Sequence, residues 1–160
     1  MIRFEPSSAG PRIVTGVEGV LDLVGTTLGT SPWIEIDQPT INAFADATGD
    51  HHWSHIDPKR SAASPLGSTI AHGLLVLSLH PSCLYAMVEF QGFRGLFNYG
   101  YDKVRFPASV RVGSRVRVAV TVLDAKATDD GAQATFRFEF ESDAGDTPVC
   151  IADYRQHFRV

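Results

Sequence analysis

Two patterns of apolar and polar positions divide the chain. From Ile70 to Val88 the sequence IAHGLLVLSLHPSCLYAMV is apolar almost throughout, broken by His72, Ser78, His80, Pro81 and Ser82. Beyond Gln91-Gly92 apolar and polar residues alternate instead, in Val104-Arg105-Phe106, in VRVAVTV from Val116 to Val122, and in ATFRFEF from Ala134 to Phe140. A period of two belongs to strands with one buried face. Turn residues separate these runs at Gly113-Ser114, Asp129-Asp130-Gly131 and Asp143 to Asp146, and Val149 to Val160 supplies a last strand. The apolar run predicts one helix from about His72 to Val88, roughly 25 Å long at about 1.5 Å per residue. That is short of a bilayer core, so the run reads as a buried helix and not as a membrane span. A helix that is apolar on nearly every face needs cover on nearly every face, which an antiparallel sheet curled around it supplies. The pattern therefore predicts an α+β fold, with residues 1–160 forming a single domain.

The first third is helical and connecting. Gly16 to Val24 fits a short helix, and Trp33 to Ile36 alternates like a brief strand. Asp37 then has the position of an N-cap, Pro39 suits a first turn, Ile41, Phe44 and Ala45 share a face, and Gly49 stands where a helix ends. Asp50 thus opens a loop just past a helix. Asp57-Pro58 repeats the cap-then-proline signal, and Ser64-Pro65-Leu66-Gly67 breaks the chain ahead of the apolar run.

Composition narrows the partners. The 160 residues carry a formal net charge of −4 from interspersed acidic and basic side chains, with no basic run dense enough to neutralise a phosphate backbone, so nucleic acid is excluded as a partner. Cys83 and Cys150 lack metal-ligand spacing and read as buried free thiols, as in a reducing cytoplasm. The start MIRFEPSSAGPRIV lacks the pattern of a signal peptide. A cytoplasmic protein is expected.

Chemistry concentrates in ATGDHHWSHID, Ala47 to Asp57. His51 and His55 have the i, i+4 spacing of zinc ligands in an HExxH helix, but His52 occupies the place of the glutamate, Trp53 and Pro58 oppose a long helix, and no distant Cys/His cluster offers a third ligand. No metal is expected. Were residues 50 to 55 a regular helix, Asp50 and His55 would stand about 140° apart at about 3.6 residues per turn. An acid/base pair of these two requires a folded loop. The alternative is a solvated polar turn in which Asp50 bonds backbone groups. A second segment, GSTIAHG from Gly67 to Gly73, leads into the apolar run, so N–H groups around His72 and Gly73 are placed to receive an oxygen that gains negative charge.

Together, FADATGDHHWSHIDPKRSA and GSTIAHGLLVLSL resemble the MaoC-like dehydratases and (R)-specific enoyl-CoA hydratases, above all their single-domain branch with the nodulation protein N-like proteins. NYGYDKVRFPASVRVGSRVRV, Asn98 to Val118, is similar to the same branch. The resemblance implies a hot-dog fold, a long central helix wrapped by an antiparallel sheet, assembled as a homodimer. It implies a cofactor-free hydro-lyase that adds water across a trans-2-enoyl-CoA, with Asp50 and His55 as the catalytic pair and Gly73 as the oxyanion donor. The chain departs from the pattern at His52-Trp53, where many hydratases have Asn-Pro, and at Pro81, which stands where some members have a serine and has Ser82 beside it. Ser78, Ser82, Asn98 and Tyr99 are candidates to line an acyl pocket or are ordinary polar residues. His72 either meets the substrate or holds the turn. Lys103, Arg105 and Arg111 either meet coenzyme A phosphates or form a strand's solvent face. Two alternatives share the fold: a non-catalytic acyl-CoA binder, and a thioesterase, which would need a carboxylate on the central helix, where only Glu89 is near.

Overall fold

The alternation beyond Gly92 becomes a curled antiparallel sheet in the computed structural model, which describes residues 10–160. Its long strands are β5 (Gly95–Arg105), β6 (Arg115–Thr128), β7 (Gly131–Ser142) and β8 (Gly145–Arg159), joined by the short β2 (Thr27–Thr30) in the order β2-β6-β7-β8-β5, with β3 (Ile34–Glu35) also on β6. A separate parallel pair joins β1 (Arg12–Thr15) to β4 (Val88–Gln91). Among the described residues six helices complete the fold: α1 (Gly16–Leu21), α2 (Gln38–Thr48), α3 (Trp53–Ile56), α4 (Pro58–Ala62), α5 (Gly73–Leu77) and α6 (His80–Met87). The start of the chain, on which the expectation of no signal peptide rests, lies partly outside the described residues. Among those described, no helix is long and apolar enough to cross a membrane.

The core follows from the period of two. Val116, Val118, Val120 and Val122 of β6, Phe136, Phe138 and Phe140 of β7, and Ala152, Tyr154 and Phe158 of β8 are buried, in one cluster with Leu75, Val76, Cys83 and Leu84 of the apolar run. Both cysteines are free and buried, and burial pushes their thiols up, Cys83 to about 11 and Cys150 to about 12.

The apolar run is not one helix. It breaks at Ser78-Leu79 into α5 and α6, and Pro81 is the cause: it has no N–H to offer the Leu77 carbonyl four residues earlier. The imidazole of His80 takes that place, its Nδ1 donating to Leu77 O at 3.1 Å. Burial holds the His80 pKa below the ordinary histidine range, so a neutral ring makes this bond. Ser78 and Leu79 keep right-handed helical dihedrals, so α6 continues from α5 across the break.

The capping signals form as read. Asp37 accepts from Thr40 N–H at 2.9 Å, Asp57 accepts from Arg60 N–H at 2.9 Å, and Gly49 ends α2 at φ 78°. The β6–β7 hairpin turns at Asp129-Asp130 and re-enters the sheet at Gly131, where φ is 148° and an added Cβ would lie 1.8 Å from the Phe158 carbonyl oxygen. Gly131→Ala is therefore expected to cost about 1–3 kcal/mol of stability. Gly145→Ala, with open space around its Cβ, is expected to stay within about 0.5 kcal/mol. Urea unfolding of the two variants checks the contrast.

Candidate active site

The loop after α2 folds back as the Asp50–His55 pair requires. Asp50 Oδ1 accepts from His52 N–H at 3.3 Å, and His52 caps the single turn of α3, its ring nitrogen accepting from Ser54 N–H. That turn carries His55 back beside Asp50. The opposing wall is the extended segment before α5. Ala71 N–H donates to Val110 O at 2.8 Å, Val112 N–H donates to Thr69 O at 3.0 Å, and Ile70 N–H donates to Ser54 O at 3.0 Å. Pinned on both sides, Ile70 presents its carbonyl to His55 Nδ1 at 2.8 Å.

This contact sets the tautomer. A carbonyl oxygen only accepts, so His55 Nδ1 carries hydrogen, and in the neutral ring Nε2 holds a lone pair. His72 is fixed by the same logic at its other nitrogen, where Nε2–H donates to the backbone carbonyl of Asp50 at 3.0 Å. The His72 ring is only 4% exposed; it stacks on His55 with centroids 3.7 Å apart and lies 5.0 Å from the Phe44 ring. Its Nδ1 is buried with no partner among the described residues. The Asp50 carboxylate is more than half exposed and lies 3.8 Å from His72 Nε2. His72 thus supports the loop from below, where the sequence left open a contact with substrate.

Gln38, which the sequence reading did not single out, ties these pieces together. Its Nε2 donates to His55 O at 2.7 Å and to Asn42 Oδ1 at 2.8 Å, while its Oε1 accepts from the hydroxyl of buried Thr69 at 2.5 Å. One amide thereby joins α2, α3 and the segment that orients His55. No periodic or motif signal marks a glutamine at the start of a helix as a keystone.

His55 and Gly73 line a cleft of about 160 Å³, walled by Ile70, Val76, Phe106 and Val149. Gly73 is the first residue of α5, so its N–H has no acceptor within the helix, and no side chain caps the end. A Cβ here would lie 2.9 Å from the Phe106 ring, so a larger residue requires that ring to shift. The cleft therefore offers an imidazole lone pair, an adjacent carboxylate and an N–H donor.

The remaining candidates lie elsewhere. His51 faces Asp46 at 2.8 Å, Ser78 returns its hydroxyl to Leu75 O, and Asn98 accepts from the Tyr154 hydroxyl. Tyr99 is 61% exposed on β5, and none of Ser78, Asn98 and Tyr99 lines the cleft. One nitrogen or oxygen each from Asp50, His55 and His72 comes within 4.8 Å of the others, a grouping open to a metal ion. The geometry does not suit one. Stacked rings aim their nitrogens in parallel, whereas zinc needs lone pairs converging at about 2.0–2.1 Å, and one nitrogen of each imidazole is already committed to a backbone carbonyl.

A family model described as the MaoC like domain matches residues 20–140. The chain belongs to the MaoC-like family. It is 44% identical over 140 residues to a 3-hydroxyacyl-thioester dehydratase Z of Mycobacterium tuberculosis, covering 85% of this chain and 93% of that one. It is 50% identical over 109 residues to nodulation protein N of Rhizobium meliloti, covering 67% of this chain and 68% of the relative. The hot-dog fold recurs in an (R)-hydratase from A. caviae involved in PHA biosynthesis, with a TM-score of 0.67 at 22% identity over 83% of this chain and 94% of that one. This MaoC-like protein is a hydro-lyase of the hydratase/dehydratase class.

Gln38→Leu keeps the side chain's bulk but removes the amide, leaving the Thr69 hydroxyl and the His55 carbonyl without their partner. It is expected to lower stability by about 1–3 kcal/mol, read as a reduced urea midpoint.

Proposed function

We propose that this MaoC-like protein reversibly hydrates a trans-2-enoyl-CoA to the (R)-3-hydroxyacyl-CoA, with Asp50 and His55 as the catalytic pair and Gly73 as the oxyanion donor. The observation that carries the reading is the His55 tautomer: Nδ1 is committed to the Ile70 carbonyl, and the ring, one of whose nitrogens comes within 4.8 Å of the Asp50 carboxylate, lines a cleft together with Gly73. A water bound by both groups gives a proton to His55 Nε2 as its oxygen bonds to C3. The imidazolium, held by the Ile70 carbonyl and facing a carboxylate, returns that proton to C2. Between these events the thioester oxygen carries enolate charge, which the Gly73 N–H stabilises. Dehydration follows the same path in reverse. No external redox agent or cofactor enters the balance.

Support for the substrate class comes from the 44% identical relative, named for 3-hydroxyacyl thioesters. A thioesterase would need a carboxylate on the central helix; α5 and α6 contain none, and Glu89, which the sequence placed near the helix end, belongs to β4. We further infer a homodimer. β5 is a sheet edge that exposes Phe97, Tyr99 and Tyr101, apolar surface that a second copy would cover. The two free cysteines accord with a cytoplasmic site of action.

Asp50→Asn and His55→Ala are each expected to lower kcat by about 10²–10⁴, followed as loss of enoyl absorbance from crotonyl-CoA or a longer enoyl-CoA. Full activity in both variants contradicts the assignment. Tight acyl-CoA binding by the wild-type protein without turnover would identify a binder and not a lyase.

A further inference from the structure

Two histidines stand at helix N-caps with the same backbone and opposite side-chain behaviour. His52 precedes α3 at φ −61°, ψ 137°, and its Nδ1 accepts from Ser54 N–H. His72 precedes α5 at φ −61°, ψ 135°, yet makes no cap bond. The backbone does not force this difference; the contacts of the His72 ring account for it. The ring turns back to the Asp50 loop, where Nε2–H donates to Asp50 O at 3.0 Å and lies 3.8 Å from carboxylate Oδ2. Its face packs on the His55 ring at an interplanar angle of 24°.

This placement costs stability twice. An N-cap side chain that forgoes its bond leaves the first N–H groups of α5 without a side-chain acceptor. Nδ1, on a ring only 4% exposed, has no partner among the described residues, and an unpaired polar atom in the interior is destabilising. An apolar side chain of similar size would remove the second cost without adding to the first. The Asp50 carbonyl that such a side chain would release belongs to an exposed residue, where water can serve it. Folding alone therefore gives no reason for histidine at this position.

We propose that His72 is a positioning residue, kept at a cost to stability, that sets the Asp50 carboxylate and the His55 imidazole relative to each other so that both reach one water. It touches the two by different parts. The bond from Nε2 fixes the peptide group that carries the carboxylate, and the ring face fixes the plane of the imidazole. A misplacement of about 1 Å at such a pair is enough to cost on the order of 10²-fold in rate. The inference rests on the Asp50–His55 reading above and adds the residue that maintains the geometry of the pair.

The test sets activity against stability. His72→Leu, of similar bulk and without a polar atom, is expected to lower kcat on crotonyl-CoA or a longer enoyl-CoA about 10–100-fold, with KM within about two-fold and a urea midpoint no lower than that of the wild-type protein. His72→Gln, whose amide nitrogen takes the place of Nε2, keeps the bond to Asp50 and loses the ring; it should recover part of kcat. In an Asp50→Asn background, where the pair is already broken, His72→Leu should lower kcat less than about two-fold further. A lowered midpoint, an unchanged kcat, or losses that simply multiply in the double variant would overturn the inference while leaving the lyase reading intact. If Asp50→Asn and His55→Ala both kept full activity, or the wild-type protein turned over no enoyl-CoA, that reading itself would fail and this inference with it.

Discussion

The hydrogen bond from His55 Nδ1 to the Ile70 carbonyl is the contact on which the site depends. It joins two segments that are far from each other in secondary-structure terms: a one-turn helix after α2 and the extended lead into α5. It also commits one imidazole nitrogen, so in the neutral ring the other keeps the lone pair that the proposed base requires. The protein invests heavily in keeping that carbonyl still. Residues 69 to 71 bond to Ser54, Val110 and Val112, and Gln38 ties His55's own carbonyl to the Thr69 hydroxyl. His72 completes the arrangement by stacking on His55 while holding the Asp50 backbone, so imidazole and carboxylate are positioned from one buried ring.

The sheet and the broken helix make this rigidity possible. β6, β7 and β8 bury an unbroken inner face against α5 and α6, and α5 begins at the residue whose N–H opens on the cleft. Pro81 could have disrupted that packing, since it leaves a backbone carbonyl unserved inside an apolar core. His80 repairs the loss from its own side chain. A proline and a histidine that interrupt the apolar run thus act as a pair, one removing a donor and the other replacing it.

Much of this was legible in the sequence because caps, alternation and turns are local signals. Asp37, Gly49 and Asp57 act where they were read, and β6 and β7 alternate as their burial demands, whereas β5 does not. The requirement that the Asp50 loop fold back followed from helix geometry alone. Other features depend on contacts between residues distant in sequence. Gln38 meets Thr69 across 31 positions, and β1 pairs with β4 through segments of only four residues each, too short for a period to stand out. The break in the apolar run was signalled by Pro81, but the density of apolar residues around it argued for continuity. Ser78, Asn98 and Tyr99 were chosen by resemblance and polarity, which do not tell which side of a strand or helix meets a cleft.

The most direct test of the account is the protonation state of the His55 ring, read from long-range proton–nitrogen NMR correlations of the free protein at about pH 8, where an ordinary imidazole is neutral. The account requires hydrogen on Nδ1 and a bare Nε2. A ring with hydrogen on Nε2 and none on Nδ1 would mean that Ile70 does not orient it, and would contradict the proposed base.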